Sequence, residues 1–190
     1  MSEVKKHKYV DLDGNGYATK PEYMTGLRGN ILVPKTHGII ALRGKLDSLL
    51  AKTMEVQIVA VEDGHQDAAD ALDDVAKLIS AVLMSEVGET PMGSFAVFGM
   101  DEAELRQASH NPKKYIGVDH MLPNYRMGKT FSAVNALRAQ SREAELYATG
   151  VFSGADGKVE RVDLLQAMNR LSSALYVLMC RLLAKKQNGE

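Results

Sequence analysis

Residues 162–186 read VDLLQAMNRLSSALYVLMCRLLAKK, and within them Leu165, Met168, Leu171, Leu175, Leu178 and Leu182 return every three or four residues. That step is the period of an amphipathic helix, so the spacing predicts a last helix from Val162 to about Lys186. Working backwards, Phe131, Val134, Leu137 and Ala144 mark a helix from Thr130 to about Tyr147. Asp101 is a good N-cap for a short helix that Asn111-Pro112 stops near Ser109. Ala68, Leu72, Val75, Leu78, Ile79, Val82 and Leu83 mark another, and Ile39, Leu42, Leu46, Met54, Ile58 and Val61 mark the first, with Gly64 between the two. Only Gly93 to Met100 offers a short β-compatible run. Four long helices and one short one predict an all-α fold, a five-helix antiparallel bundle over residues 37–190. Residues 1–36 are polar and hold Pro21 and Pro34, so they predict an extended, loop-rich arm.

Composition narrows the function classes. The 190 residues carry 23 Lys+Arg against 24 Asp+Glu, a net charge of −1. Such a balance argues against a general nucleic-acid binder, which needs a basic face to release counterions. The single Cys, Cys180, excludes an internal disulfide and a cysteine-rich metal site. The most apolar run, Ala174 to Cys180, is far short of the ~20 residues that span a bilayer, so no membrane segment is expected. The lysines of Met1 to Lys8 are followed by no apolar core, which predicts no signal peptide and a cytoplasmic protein.

Asp11 to Glu22 (DLDGNGYATKPE) places oxygen ligands and a glycine at EF-hand loop positions, which suits Ca²⁺. Its flanks lack helical periodicity and Pro21 sits where an exiting helix would begin, so a plain Gly/Asn/Asp turn is the competing reading. A similar run at Asp156 to Asp163 has Phe152 and Gly154 where the first two carboxylates belong. Glu62 and His65 have the spacing of a di-iron helix, but no second such pair exists and Gly64 interrupts the helix, so a helix end is expected.

Arg138, Arg142 and Glu145 fall at i, i+4 and i+7 on one helix face. Two guanidiniums so placed can clamp a polyphosphate while the carboxylate holds a magnesium ion or orients an arginine. The alternative is a solvated stripe with an Arg142–Glu145 ion pair. On the last helix Asn169, Ser172 or Ser173, and Tyr176 share a face; a mid-helix Asn hydrogen-bonds either a ligand or a neighbouring backbone carbonyl. Gly44 in the first helix predicts a close backbone approach, and Asp47 can receive one of the arginines. Thr25, Gly26, Arg28 and Lys35 form a Gly-containing basic segment suited to phosphate, although no Walker or Rossmann glycine loop is present.

Taken in order, these signals resemble the ATP:cob(I)alamin (corrinoid) adenosyltransferases, in particular the ethanolamine-utilization type. The resemblance covers residues 23–186. It rests on MTGLRG (24–29), VPKTH (33–37) and RGKLDSL (43–49), on the Arg-x-x-x-Arg-x-x-Glu helix at Arg138 to Glu145, and on NRLS (169–172) followed by LYVL (175–178). It implies a trimer with ATP and Mg²⁺ between adjacent subunits, and cobalamin as the second substrate. Thr25, Gly26, Arg28 and Lys35 would hold the triphosphate. Arg142, Glu145 and Asn169 would contact ATP, with Glu145 on its magnesium ion, and Arg138 would pair with Asp47 of the neighbouring subunit. Arg138 and Arg142 would be catalytic, and His120 and Met121 would contact the corrinoid. A reductase and a cobalamin-dependent lyase are the implied partners, and an association with a bacterial microcompartment follows from the same resemblance.

The chain departs from the family pattern in four places. Thr25-Gly26-Leu27 replaces a Thr-Gly-Asp loop, and Ser173 replaces an Asp. The cysteine cluster of some ethanolamine-type members is absent. His120 stands where the propanediol branch has a Phe, with three readings open: it excludes the axial base of the corrinoid, it ligates cobalt, or it caps its loop. The competing function is a non-catalytic trimer that escorts corrinoid.

Overall fold

A computed structural model describes residues 8–189. The start of the chain through His7, on which the targeting-segment reading falls, lies outside the described residues. The chain divides into two compact units, Met1–Gly44 and Lys45–Glu190.

The first unit is built on a four-stranded sheet where an extended arm was the expectation. Strands β1 (Tyr9–Asp11), β2 (Gly16–Tyr17), β3 (Met24–Arg28) and β4 (Ile31–Pro34) lie in the order β2-β1-β4-β3. β1 pairs antiparallel with β2 and parallel with β4, and β3 pairs antiparallel with β4. Gly29, with φ +52°, turns the β3–β4 hairpin in a conformation that glycine adopts without steric cost. Met24, Leu27, Leu32 and Val33 are buried. Strands of two to five residues leave too little alternation to read, which is why the sheet escapes a periodicity argument.

This sheet also overturns the calcium reading. An EF-hand loop lies between helices, whereas Asp11 here ends β1 and Gly16 lies in β2, paired with Val10. The glycine that should turn the loop is extended in a strand, and Gly14 takes the positive φ. The Asp11 carboxylate is already engaged by the backbone N–H groups of Asp13 and Asn15, the Asn15 amide and the Tyr17 hydroxyl. The turn residues that suit Ca²⁺ serve a hairpin instead.

In the second unit, helix α1 (Gly38–Glu62, which enters this unit at Lys45) is followed by α2 (Gln66–Val87), α3 (Glu102–His110), one-turn α4 (Pro112–Tyr115), a 3-10 turn at Tyr125–Met127, α5 (Lys129–Phe152) and α6 (Val162–Asn188). The four long helices and α3 match the predicted bundle, and α5 runs five residues past its expected end at Tyr147 because Ala148 and Phe152 continue its buried face. Helix α6 packs against α5, α2 and α3. Its stretch from Leu171 to Cys180 is buried at every position but Ser173 and Tyr176. The β-compatible run at Gly93 to Met100 forms only a Val97–Met100 bridge around a tight turn at Phe98-Gly99. Apart from its sequence neighbours and its own helix backbone, no atom among the described residues lies within 4 Å of a β-carbon built on Gly44. Among the described residues no helix is long and apolar enough to cross a membrane.

Polar joints fix the helix ends. Asp101 and Glu104 form a reciprocal capping box on α3. Glu62 and His65 do flank a helix end: Glu62 pairs with Lys129 at 2.9 Å, and His65 is the N-cap position of α2. Helix α5 begins at Gly128, which has no side chain to cap it, so Asp63 accepts the Thr130 N–H (3.0 Å) and hydroxyl (2.7 Å) from across the bundle. Arg161 donates to the Ser85 hydroxyl (2.8 Å), the Thr90 carbonyl (2.9 Å) and Asp163, while Asp163 also accepts the Met92 N–H (2.8 Å). The loop after α2 is thereby tied to the start of α6.

Two predictions follow from these joints. Hydrogen bonding from Arg161 first, then from the Met92 N–H, holds the Asp163 carboxyl at about 2 against an ordinary 3.8. A folded-state pKa below the unfolded value stabilises above the unfolded pKa and is lost as pH falls through the folded one. Asp163→Asn should cost about 1–2 kcal/mol at neutral pH and remove part of the acid-induced loss that the parent shows between about pH 4 and 2, as read by urea unfolding. Calorimetric titration of the parent with Ca²⁺ should show no heat that Asp11→Ala or Glu22→Ala abolishes.

Candidate functional site

The unsealed face of α6 opens onto a cavity of about 460 Å³ that lies wholly in the second unit. Arg138 and Arg142 enter it from α5, Asn169, Ser172, Ser173 and Tyr176 from α6, Ser109 and His110 from the end of α3, and His120 from the loop before the 3-10 turn. The i, i+3/i+4, i+7 spacing of Asn169, Ser172, Ser173 and Tyr176 puts them on one side of a helix otherwise committed to the core.

The Arg142–Glu145 ion pair of the bland reading does not form. Glu145 instead accepts the Asn169 amide N–H at 2.8 Å, and the Asn169 oxygen accepts from Arg170 at 2.6 Å. Asn169 is thus fixed at both ends of its amide, by side chains rather than by a backbone carbonyl. Glu145 stands behind Asn169 and does not itself line the cavity. Arg142 is exposed and makes no hydrogen bond or ion pair among the described residues. Arg138 is half-buried, with its guanidinium 5.3 Å from the centre of the Tyr176 ring. Its Nε is buried without a hydrogen-bond partner, and burial, reinforced by the charge of Arg142, lowers its pKa. Two guanidiniums therefore face one cavity with no carboxylate paired to either among the described residues, an arrangement that attracts a polyanion.

His120 is held at both ring nitrogens, by the His110 carbonyl oxygen (3.1 Å to Nε2) and the Tyr176 hydroxyl (3.1 Å to Nδ1). Its ring stacks at 23° to that of Tyr176. Met121, the next residue, is half-buried. Burial raises the Tyr176 pKa and pushes the neighbouring Cys180 thiol up to about 11, so neither ionises near neutrality. Ser109 and His110 were not singled out in the sequence, and Ser172, Ser173 and Tyr176 were read only as sharing a helix face with Asn169, without a role. Tyr176 carries a signal in its spacing from Asn169, whereas His110 contributes a backbone carbonyl that no sequence motif marks.

The remaining predicted residues lie elsewhere. Thr25, Gly26 and Arg28 are on β3 of the first unit, with Thr25 opposite Val33 and Gly26 opposite Leu32, and exposed Lys35 follows β4. These four share one hairpin. Asp47 is exposed on α1 and forms no ion pair with Arg138 within the chain, where the expectation concerned a neighbouring subunit. Among the described residues no cluster of three or more His, Cys, Asp or Glu could cage a metal. Glu145 has one oxygen bonded to an amide, and its other oxygen would suit a magnesium ion held mainly by phosphate and water.

Residues 17–182 match the family model described as cobalamin adenosyltransferase, which covers most of the chain. The chain belongs to the cobalamin adenosyltransferase family. It is 33% identical over 166 residues to the corrinoid adenosyltransferase EutT of Salmonella typhimurium strain LT2, covering 87% of this chain and 61% of that protein. The corrinoid adenosyltransferase EutT of Escherichia coli K12 is 34% identical over 162 residues, 85% of this chain and 59% of its own. The chain thus spans about three fifths of the length of the curated relatives it matches. No solved structure matches it. Membership in the cobalamin adenosyltransferases agrees with the resemblance that the Arg-x-x-x-Arg-x-x-Glu and NRLS segments carry.

Arg138 burdens the fold with a buried, partnerless nitrogen. Replacing a buried charge by an apolar side chain of similar length is often neutral or stabilising. In dissociated subunits Arg138→Met should therefore leave stability within about 1 kcal/mol of the parent or raise it, as measured by urea unfolding, while removing one charge from the cavity.

Proposed function

We propose that this chain transfers the 5′-deoxyadenosyl group of ATP to cob(I)alamin, giving adenosylcobalamin and triphosphate. The observation that carries the reading is the convergence of Arg138 and Arg142 from α5 with Asn169 from α6 in one cavity, with neither arginine paired to a carboxylate among the described residues of the single chain. In the reaction the cobalt electron pair attacks the ribose 5′-carbon, a cobalt–carbon bond forms, and the carbon–oxygen bond breaks with its electrons leaving on triphosphate. Cob(I)alamin is already a strong nucleophile, so the protein need activate no serine, cysteine or histidine. What the step requires is alignment of cobalt with the 5′-carbon and stabilisation of charge gathering on the leaving triphosphate.

The residues support those two tasks. Arg142, unpaired and exposed, is free to bind phosphate oxygens, and Asn169, fixed between Glu145 and Arg170, presents its remaining N–H to the nucleotide. Bound magnesium supplies charge neutralisation on the phosphates, with Glu145 as its protein carboxylate. In our reading residues 1–36 act as a nucleotide-binding arm and 37–190 as the bundle domain. Thr25, Gly26, Arg28 and Lys35 take the triphosphate in a homotrimer whose subunits are joined by Asp47–Arg138 pairs, and the corrinoid lies against His120 and Met121. A reductase supplies the electron, a cobalamin-dependent lyase takes the product, and the site of action is the cytoplasm, in association with an ethanolamine microcompartment.

The test is an anaerobic assay with chemically reduced cob(I)alamin and MgATP, following conversion to adenosylcobalamin. The parent should turn over, and Arg142→Ala should lower kcat by about 30- to 1000-fold, the equivalent of losing ~2–4 kcal/mol of charge stabilisation. Corrinoid binding without turnover would overturn the reading in favour of an escort protein.

A further inference from the structure

Tyr176 touches two parts of the cavity at once. Its ring carries the Arg138 guanidinium at 5.3 Å, and its hydroxyl lies 3.1 Å from His120 Nδ1. The other His120 nitrogen, Nε2, lies 3.1 Å from the His110 carbonyl oxygen. A carbonyl only accepts, so Nε2 carries the proton. In the neutral imidazole Nδ1 is then a lone pair, and the Tyr176 O–H is the donor that meets it.

We propose that Tyr176 is a positioning residue that keeps His120 off cobalt, by filling with its O–H the one imidazole lone pair that could ligate the corrinoid. The proposal rests on the adenosyltransferase reading of this cavity, and it chooses among the three sequence-based roles of His120. Imidazole nitrogen is a good ligand for first-row transition metals, and an unrestrained histidine on the cavity wall would compete for the axial direction of a cobalt(II) corrinoid. A nitrogen on that axis raises the energy of the orbital that has to fill with the attacking electron pair, and so opposes reduction to cobalt(I). The His110 carbonyl and the Tyr176 hydroxyl together leave the ring neither a free nitrogen nor freedom to turn one outward. His120 thereby becomes a wall of the cavity. The same phenol, through its ring, holds Arg138 beside it, so one side chain orients a group for each substrate.

The experiment uses the full chain labelled with ¹⁵N-histidine. Side-chain NMR should show His120 as the neutral Nε2–H tautomer in the parent and a mixture of tautomers in Tyr176→Phe, which keeps the ring under Arg138 and removes only the hydroxyl. Cob(II)inamide, which has no benzimidazole base of its own, is then added anaerobically and read by EPR. The parent should bind it with no nitrogen splitting of the cobalt lines. Tyr176→Phe should gain a ¹⁵N doublet, and the additional change His120→Ala should abolish that doublet, a signature that loss of packing alone does not produce. A ¹⁵N doublet in the parent, an Nδ1–H tautomer in the parent, or a Tyr176→Phe protein identical to the parent by both methods would overturn the proposal while leaving the adenosyltransferase reading intact. Failure of the parent to bind the corrinoid would instead overturn the functional reading, and this proposal with it.

Discussion

Burial of α6 on almost every side is the constraint from which the rest of the second unit follows. From Leu171 to Cys180 the helix offers the core Leu171, Ala174, Leu175, Val177, Leu178, Met179 and Cys180. Each large apolar side chain so placed contributes roughly 1.5–3 kcal/mol relative to exposure. A helix held on three sides by α2, α3 and α5 can neither rotate nor slide without exposing some of that surface. The narrow strip it leaves open is therefore fixed in space, and polar residues on that strip are presented as though on a rigid rail. The Arg161–Asp163 joint sets the start of the same helix, where Arg161 adopts a left-handed conformation (φ +47°) that a residue with a side chain takes only when its surroundings impose it.

The site inherits its charge from this arrangement. The chain carries a net charge of only −1, yet two arginines one helical turn apart converge on a cavity that no carboxylate lines. The attraction for an anion is local, created by spacing and by withholding counter-charges. The partnerless Arg138 Nε shows what such withholding costs: a desolvated nitrogen with nothing to receive its proton.

The helices were legible in the sequence because a three- to four-residue step sustained over five or six turns has no other structural explanation. Arg138, Arg142 and Asn169 could be singled out for the same reason, since spacing on a helix translates directly into a shared face. The first unit was not legible. Its strands are too short to alternate, and the Asp-x-Asp-x-Asn-Gly run that imitates an EF-hand uses the same turn-forming residues for a hairpin. The partners of His120 were hidden for a different reason. Tyr176 lies 56 residues away in sequence, and the His110 carbonyl is a backbone atom that any residue at that position would supply.

One consequence concerns what kind of molecule the cavity can recognise at all. Among the groups that line it, the His110 carbonyl accepts from His120, the His120 Nδ1 meets the Tyr176 hydroxyl, the Asn169 oxygen accepts from Arg170, and no carboxylate is among them. The permanent charges on the wall are two guanidiniums, joined by the second N–H of Asn169 and by hydroxyls able to act in either sense. Such a lining disfavours an amine or an alkylammonium ion, and it discriminates by charge before shape is tested. A ligand seated there has to bring the lone pairs itself.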